Sequence, residues 1–257
     1  MANQHQVFRQ IASSIVLGMG LGLLPLTSTL SLTDKEMDNR IQKITVMIGG
    51  AGKGTGIIIQ KKNNIYTVLT NCHVIAKKDA ATGKYILKKR NYLIKTEDQK
   101  QYNSSKNLGC LNQGEIDLGL LQFTSEQKYD VALLENRQLP TSSERVYIGG
   151  WQVADPRDLT CEDRCYNFIT AIIYRDTDIT TKNPNGYNLI FHTALIKAGM
   201  SGSGIFNTEG KLVGIYSAAE LNPRTQQLET VGVPIRFFCD AIKNDKSLAG
   251  VCEPKDK

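Results

Sequence analysis

From residue 44 onward the sequence breaks into short runs of β-branched and aromatic residues separated by glycine- and asparagine-rich turns. That punctuation restricts the fold more than any other feature. Ile44–Ile48 is followed by Gly49-Gly50-Ala51-Gly52, and Gly56–Gln60 and Tyr66–Thr70 flank a turn at Lys62-Asn63-Asn64. Beyond a lysine-rich loop, Tyr92–Thr96, Leu118–Phe123, Val131–Leu134 and Val146–Ile148 read as strands. A break near residues 152–165, marked by Pro156 and a C-x3-C pair, precedes a second set. That set comprises Tyr166–Tyr174, Tyr187–Phe191, Ser203–Phe206, Leu212–Ser217 and Thr230–Val233, with Arg236–Lys243 as a closing helix. Many short strands with hardly any helix predict an all-β barrel or sandwich, and the break divides it into two parts.

The N-terminus has a different character. Residues 1–10 contain Arg9 and no acid, and the uncharged, apolar stretch Ile11 to Leu26 ends near a Thr/Ser cluster. This layout predicts a secretory signal peptide or N-terminal anchor over residues 1–33, with the folded domain at 34–257. The chain is expected to be exported, to a periplasmic or secreted location. Six cysteines, an even count, agree with an oxidising compartment. They allow 15 pairings; local pairing of Cys161 with Cys165 and of Cys239 with Cys252 leaves Cys72 to Cys110. The isolated C-x3-C lacks a second half for zinc. A net charge of +6 is spread over mixed lysines and acids, which reads as a solvated surface rather than a nucleic-acid site.

Two segments carry chemistry. Gly199-Met200-Ser201-Gly202-Ser203-Gly204 places a serine on a glycine-rich turn, and Thr70-Asn71-Cys72-His73-Val74 ends an apolar run in a histidine. A hydroxyl is a weak nucleophile near neutral pH and needs a base within hydrogen-bond reach. It also needs backbone N–H donors aimed at the developing oxyanion. Of the three histidines, His5 falls in the leader and His192 lies on an expected strand, where a structural or pocket-wall role fits. Few candidates for the base remain, and His73 ends the apolar run.

GTGIIIQ…YTVLTNCHV, IDLGLLQF and AGMSGSGIF, followed by LVGIYSAA, resemble the trypsin-like serine proteases of the chymotrypsin fold over roughly residues 44–240. The nearest look is to the exported bacterial branch, the HtrA-type protease domain and the glutamyl endopeptidases. The resemblance implies two six-stranded antiparallel β-barrels, about residues 40–152 and 153–245, with a short C-terminal helix. It implies an endopeptidase acting on proteins or peptides through a Ser-His-Asp triad, with no cofactor or metal and no membrane contact beyond a possible anchor. Ser201 takes the nucleophile position, His73 the base, and the N–H groups of Gly199 and Ser201 the oxyanion hole. Ser203 is the nearest decoy. Leu195, Tyr216, Ser217 and Ala218 fall at substrate-binding positions, and Ser217 also matches the serine whose hydroxyl supports the catalytic aspartate.

Two aspartates compete for the acid. Asp130, in Tyr129-Asp130-Val131-Ala132-Leu133-Leu134, matches the family string better. Asp117 fits the order better: an acid opening a strand, a short loop, a V-A-x-L segment, then an apolar strand ending in glycine. The sequence shows that order as LGLLQF, TSEQK, VALLE and VYIGG, so Asp117 is the expected acid. The chain departs from digestive proteases at Met200, where they carry the aspartate that pairs with a newly cut N-terminus. Leu195 replaces the acid that selects basic side chains, and Tyr216 the histidine of glutamyl endopeptidases. A non-catalytic homologue that binds peptides through the same cleft is the second reading. A third, an α/β-hydrolase, fails because no histidine follows Ser201.

Overall fold

The computed structural model describes residues 32–253, except 84, 89–90, 136–142, 156–160, 162, 177–184, 193–196, 222–225 and 227. The expected leader therefore lies almost wholly outside the described residues, and so does Leu195. Among the described residues no helix is long and apolar enough to cross a membrane.

The first element is a helix the strand pattern does not announce, α1 (Asp34–Ile44). Thr33 and Glu36 form a capping box at its start, and Met37, Ile41 and Ile44 give it one buried face at i, i+4, i+7 spacing. β1 (Thr45–Gly50), β2 (Gly54–Lys62) and β3 (Ile65–Thr70) follow as an antiparallel meander. The single turn α2 (Cys72–Ile75) leads to β4 (Ala76–Lys78) and β5 (Tyr85–Leu87), a small separate sheet. β6 (Tyr92–Lys95), β7 (Gln101–Asn103), β8 (Lys106–Cys110) and β9 (Gly119–Thr124) complete a sheet ordered β7-β6-β1-β2-β3-β9-β8. It curls until Tyr102 of β7 meets Phe123 of β9, their ring centroids 5.0 Å apart.

The second half is a closed six-stranded barrel. Its strands are β10 (Arg145–Val153), β11 (Arg164–Asp176), β12 (Leu189–His192), β13 (Gly204–Phe206), β14 (Leu212–Leu221) and β15 (Leu228–Pro234). They run in the order β10-β11-β12-β15-β14-β13, and α3 (Ile235–Ile242) follows. The expected two-part, all-β architecture is present. Its first part is a curled sheet of seven strands rather than a closed six-stranded barrel, and β7 and β8 in it are too short to show a period in the sequence.

Side-chain alternation explains the packing. On β2, Ile58 points into the first sheet's interior, while Ile57 and Ile59 face the core shared with the second barrel. Val68 and Leu69 of β3 divide in the same way. In the barrel, Val146, Ile148 and Ile205 fill the interior, and Tyr147 and Phe206 face the shared core. That core also takes Met37, Ile41 and Ile44 from α1 and Phe238 and Ile242 from α3. Each half is thus apolar on two faces, one toward its own interior and one toward the shared core.

Two boundaries differ from expectation. β10 pairs with β11 along its whole length, from Arg145↔Ile172 to Val153↔Arg164, so the expected break near 152–165 lies within the barrel and not between the halves. The crossover between halves lies earlier. Val131–Leu134 is not a strand but a strap: Ala132 N donates to Ile58 O at 2.8 Å, and Leu133 O accepts from Leu212 N at 2.7 Å. Three disulfides join Cys72 to Cys110, Cys161 to Cys165 and Cys239 to Cys252.

Candidate active site

Strand register brings the expected base and the expected acid together. Thr70 of β3 and Gly119 of β9 are direct partners, so residues just past the end of β3 meet residues just before the start of β9. His73, on α2, and Asp117 occupy those places. The Cys72–Cys110 disulfide ties the same two loops on the covalent level. Asp117 is fully buried. Its Oδ1 accepts from the His73 backbone N–H at 3.0 Å, and its Oδ2 lies 2.7 Å from His73 Nδ1. A carboxylate at that distance holds the proton on Nδ1 and leaves the Nε2 lone pair for the cleft. Asp130 is exposed, on the strap between the halves. The geometry therefore pairs His73 with Asp117 and sets Asp130 apart.

The second half of the molecule holds Asp117 in place. Asp117 N donates to Asn185 O at 2.8 Å, and Tyr187 donates its phenolic proton to Asp117 Oδ2, also at 2.8 Å. Burial, followed by the Asp117 charge, pushes the Tyr187 phenol far above its ordinary value, so it remains a donor throughout the useful pH range. Burial, followed by the same carboxylate's charge, also raises the Tyr85 phenol and the Glu220 carboxyl above their ordinary values. Ser217 does not support Asp117 directly. Its hydroxyl accepts from Asn71 Nδ2 at 2.7 Å, and that amide also reaches the Asp117 carbonyl at 2.8 Å. The expected Ser217 contact is thus replaced by Tyr187 on the carboxylate and by Asn71 as an intermediary.

Ser201 lies on the loop between β12 and β13. Gly202 has φ of +91° and a Cβ there would stand 2.0 Å from Thr55 O, so only glycine fits. Gly202 N donates to Tyr216 O and Thr55 N to Ser201 O, at 2.9 and 2.8 Å. Ser201 Oγ donates to Ser217 O at 3.1 Å, and among the described residues it makes no hydrogen bond to His73. Ser217 nevertheless links the Asn71 and Ser201 loops, contacting Asn71 through its hydroxyl and Ser201 through its carbonyl. Ser203 is fully buried and spends its hydroxyl on Met200 O at 2.6 Å, so it is structural.

The Gly199 and Ser201 N–H groups have no acceptor among the described residues, as an anion site requires. The carbonyls between and beside them are all occupied. Ala198 O accepts from Val153 N at 2.7 Å, and Met200 O from Ser203 N at 2.9 Å. Gly199 O accepts from Arg164 Nη2 at 2.9 Å and Thr55 Oγ1 at 3.1 Å. Of the expected substrate-binding residues, Tyr216 is buried with its ring against Phe191, and burial pushes its phenol up to about 12. Ala218 is half-buried, just beyond Ser217 on β14. The His192 side chain lies outside the described residues.

Sequence reasoning missed Tyr187, Arg164, Asn71 and Thr55 as site residues. Asn71 and Thr55 stand inside the TNCHV and GTG strings and were within reach. Tyr187 and Arg164 carry no local signal, because their partners lie 70 and 35 residues away.

A curled β-sheet beside a closed β-barrel, with a histidine–aspartate pair past the ends of the sheet's strands and a serine on a glycine turn of the barrel, is the arrangement of the chymotrypsin-like class of proteins. A sequence profile of the trypsin-like peptidase domain matches residues 54–215. The chain belongs to that family. A serine endoprotease from Yersinia pestis superposes with a TM-score of 0.55 at 20% identity, over 82% of this chain and 66% of its own. The MamO protease domain from Magnetospirillum magneticum, in its apo form, gives 0.54 at 17% identity, over 78% and 96% respectively. No curated protein matches the chain.

Proposed function

We propose that this chain is an exported serine endopeptidase that hydrolyses peptide bonds through Ser201, His73 and Asp117. The observation that carries this reading is the buried Asp117 carboxylate, held 2.7 Å from His73 Nδ1 by donors from both halves of the molecule. With Nδ1 protonated, Nε2 is free to take the Ser201 proton once the hydroxyl turns from Ser217 O. Oγ then adds to the scissile carbonyl, and the oxyanion meets the Gly199 and Ser201 N–H groups, worth about 3 kcal/mol each. The imidazolium, stabilised by Asp117, returns its proton to the leaving amine. Water then attacks the acyl-enzyme ester by the same route and releases the acid and free Ser201.

The freed Ser217 carbonyl, with Ala218 beside it on β14, suits an extended peptide laid along the strand edge. Three disulfides favour an oxidising compartment, in keeping with a leader over residues 1–33 and a protease domain over 34–257. A single observation favours the non-catalytic alternative: the Ser201 hydroxyl is bonded to Ser217 rather than to His73. The test is casein hydrolysis and fluorophosphonate labelling of the wild-type chain beside Ser201→Ala. Turnover and labelling lost in the variant support the protease. Peptide binding without turnover, equal in both proteins, overturns it in favour of the binding module.

A further inference from the structure

Arg164 stands at the start of β11, bracketed by the Cys161–Cys165 disulfide and directly opposite Val153 on β10. Its guanidinium is bonded to carbonyls only. Nη1 donates to Ile48 O at 2.8 Å, and Nη2 shares its two protons among Gly54 O, Trp151 O and Gly199 O at 2.8, 2.6 and 2.9 Å. Among the described residues no carboxylate forms an ion pair with it, and its buried Nε has no partner. Burying a cation with no carboxylate paired to it, and only the charge of the exposed neighbour Asp163 nearby, is costly, so the four carbonyl dipoles must have a use that offsets this. Burial, opposed by the Asp163 charge, lowers its pKa to about 10, which leaves it charged at neutral pH.

The partners reveal that use. Ile48 and Gly54 belong to the first sheet, Trp151 to the second barrel, and Gly199 to the loop that carries the candidate oxyanion donors. In a trans peptide the N–H points opposite the preceding carbonyl, so a held carbonyl fixes the direction of the next N–H. Val153 N holds Ala198 O and thereby aims the Gly199 N–H. The Ser203 hydroxyl and N–H hold Met200 O and thereby aim the Ser201 N–H. The peptide between these two follows Gly199, whose φ is +95° and which has no side chain to restrain it. Arg164, with Thr55, holds that remaining carbonyl. Met200, one residue on, is fully buried in the barrel interior and offers no carboxylate through which a charge pair could do the same task.

We propose that Arg164 is the positioning residue that keeps the Gly199–Ser201 loop in its anion-binding arrangement before substrate arrives, using carbonyl contacts to both halves of the molecule. The catalytic consequence rests on the protease reading above; the structural one does not. A loop held in this way needs no separate event to assemble the oxyanion hole.

The test compares the full chain with Arg164→Met and Arg164→Lys. Amide hydrogen exchange over residues 197–203 reads the loop directly. Fluorophosphonate labelling of Ser201 reads the hole through its maximal rate and the cleft through its half-saturation concentration. The expected result for Arg164→Met is exchange at least 10-fold faster in this loop, with the rest of the barrel unchanged. Its maximal labelling rate falls roughly 10- to 100-fold while half-saturation stays within 2-fold, as weakened transition-state donors require. Arg164→Lys keeps the charge and part of the contacts, and falls between. Unchanged exchange and labelling in folded Arg164→Met overturn the proposal. So does faster exchange spread evenly over the barrel, which marks Arg164 as general packing. If the wild-type chain is not labelled at all, the protease reading fails, and loop exchange alone still decides whether Arg164 holds the loop.

Discussion

Replacing Asp117 by asparagine removes one charge and reverses one donor, and the structure fixes which way the new amide turns. The carboxylate accepts three hydrogen bonds: the His73 backbone N–H on Oδ1, and His73 Nδ1 and Tyr187 OH on Oδ2. An asparagine must point its NH2 at one of these two positions. The backbone N–H is a fixed donor 3.0 Å away and cannot become an acceptor. The imidazole can, by moving its proton to Nε2, and the tyrosine hydroxyl can rotate. The NH2 therefore takes the Oδ2 position, and His73 is locked in the tautomer that cannot accept the Ser201 proton. A wrong tautomer with intact geometry costs roughly 10⁴-fold in kcat, or about 5.4 kcal/mol of transition-state stabilisation. Initial rates on casein measure the loss, and the disappearance of the low-field Nδ1–H proton resonance reports the tautomer. Asp130→Asn, on the exposed strap, stays within about 2-fold of wild type as a surface change. Rates for Asp117→Asn within 10-fold of wild type, with the Nδ1–H resonance retained, would refute the reasoning.

Tyr187→Phe removes a hydrogen bond to the same carboxylate but leaves no buried donor unpaired, so its effect is smaller. Stability falls by about 2 kcal/mol. The carboxylate keeps the His73 backbone N–H and Nδ1, so casein rates stay within about 10-fold of wild type. An unchanged unfolding free energy counts against the contact. Tyr166, Tyr187 and Tyr216 all have raised phenol pKa values, chiefly through burial. Their neutral forms stabilise the fold fully below the unfolded value near 10, and this is lost as pH rises. Each contributes up to about 1.4 kcal/mol per pH unit between pH 10 and 12, so urea midpoints must drop steeply there. Gly202→Ala combines φ of +91° with a Cβ 2.0 Å from Thr55 O, and loses at least about 2 kcal/mol together with activity, read by thermal unfolding and casein rates. Removing the Cys72–Cys110 disulfide by double alanine substitution frees a 38-residue loop. The chain-entropy cost is about 4 kcal/mol, and casein rates fall because the histidine and aspartate loops lose their covalent link.

Much of the fold was legible because alternation and turns are local. Tyr66–Thr70 and Leu118–Phe123 match β3 and β9 to within a residue, since their apolar runs are buried on both faces. α1 was missed although Thr33, Glu36 and the Met37, Ile41, Ile44 spacing announce it. β7 and β8, of three and five residues, are too short for any period to be read. Val131–Leu134 looked like a strand because its residues are apolar, yet it packs as a strap between the two cores.

By itself the sequence determined which residues could do chemistry: a serine on a glycine turn, a histidine after an apolar strand, and two aspartates in competing strings. Each signal is carried by neighbours in the chain, through backbone preference and side-chain period. Tertiary structure alone decided that Asp117 faces His73, because that depends on the register Thr70↔Gly119. It alone supplied Tyr187 and Arg164, which act on Asp117 and Gly199 across 70 and 35 residues of chain. Directed hydrogen bonds tolerate only a few tenths of an ångström. No local string records the docking of two β-structures that brings such groups within that tolerance.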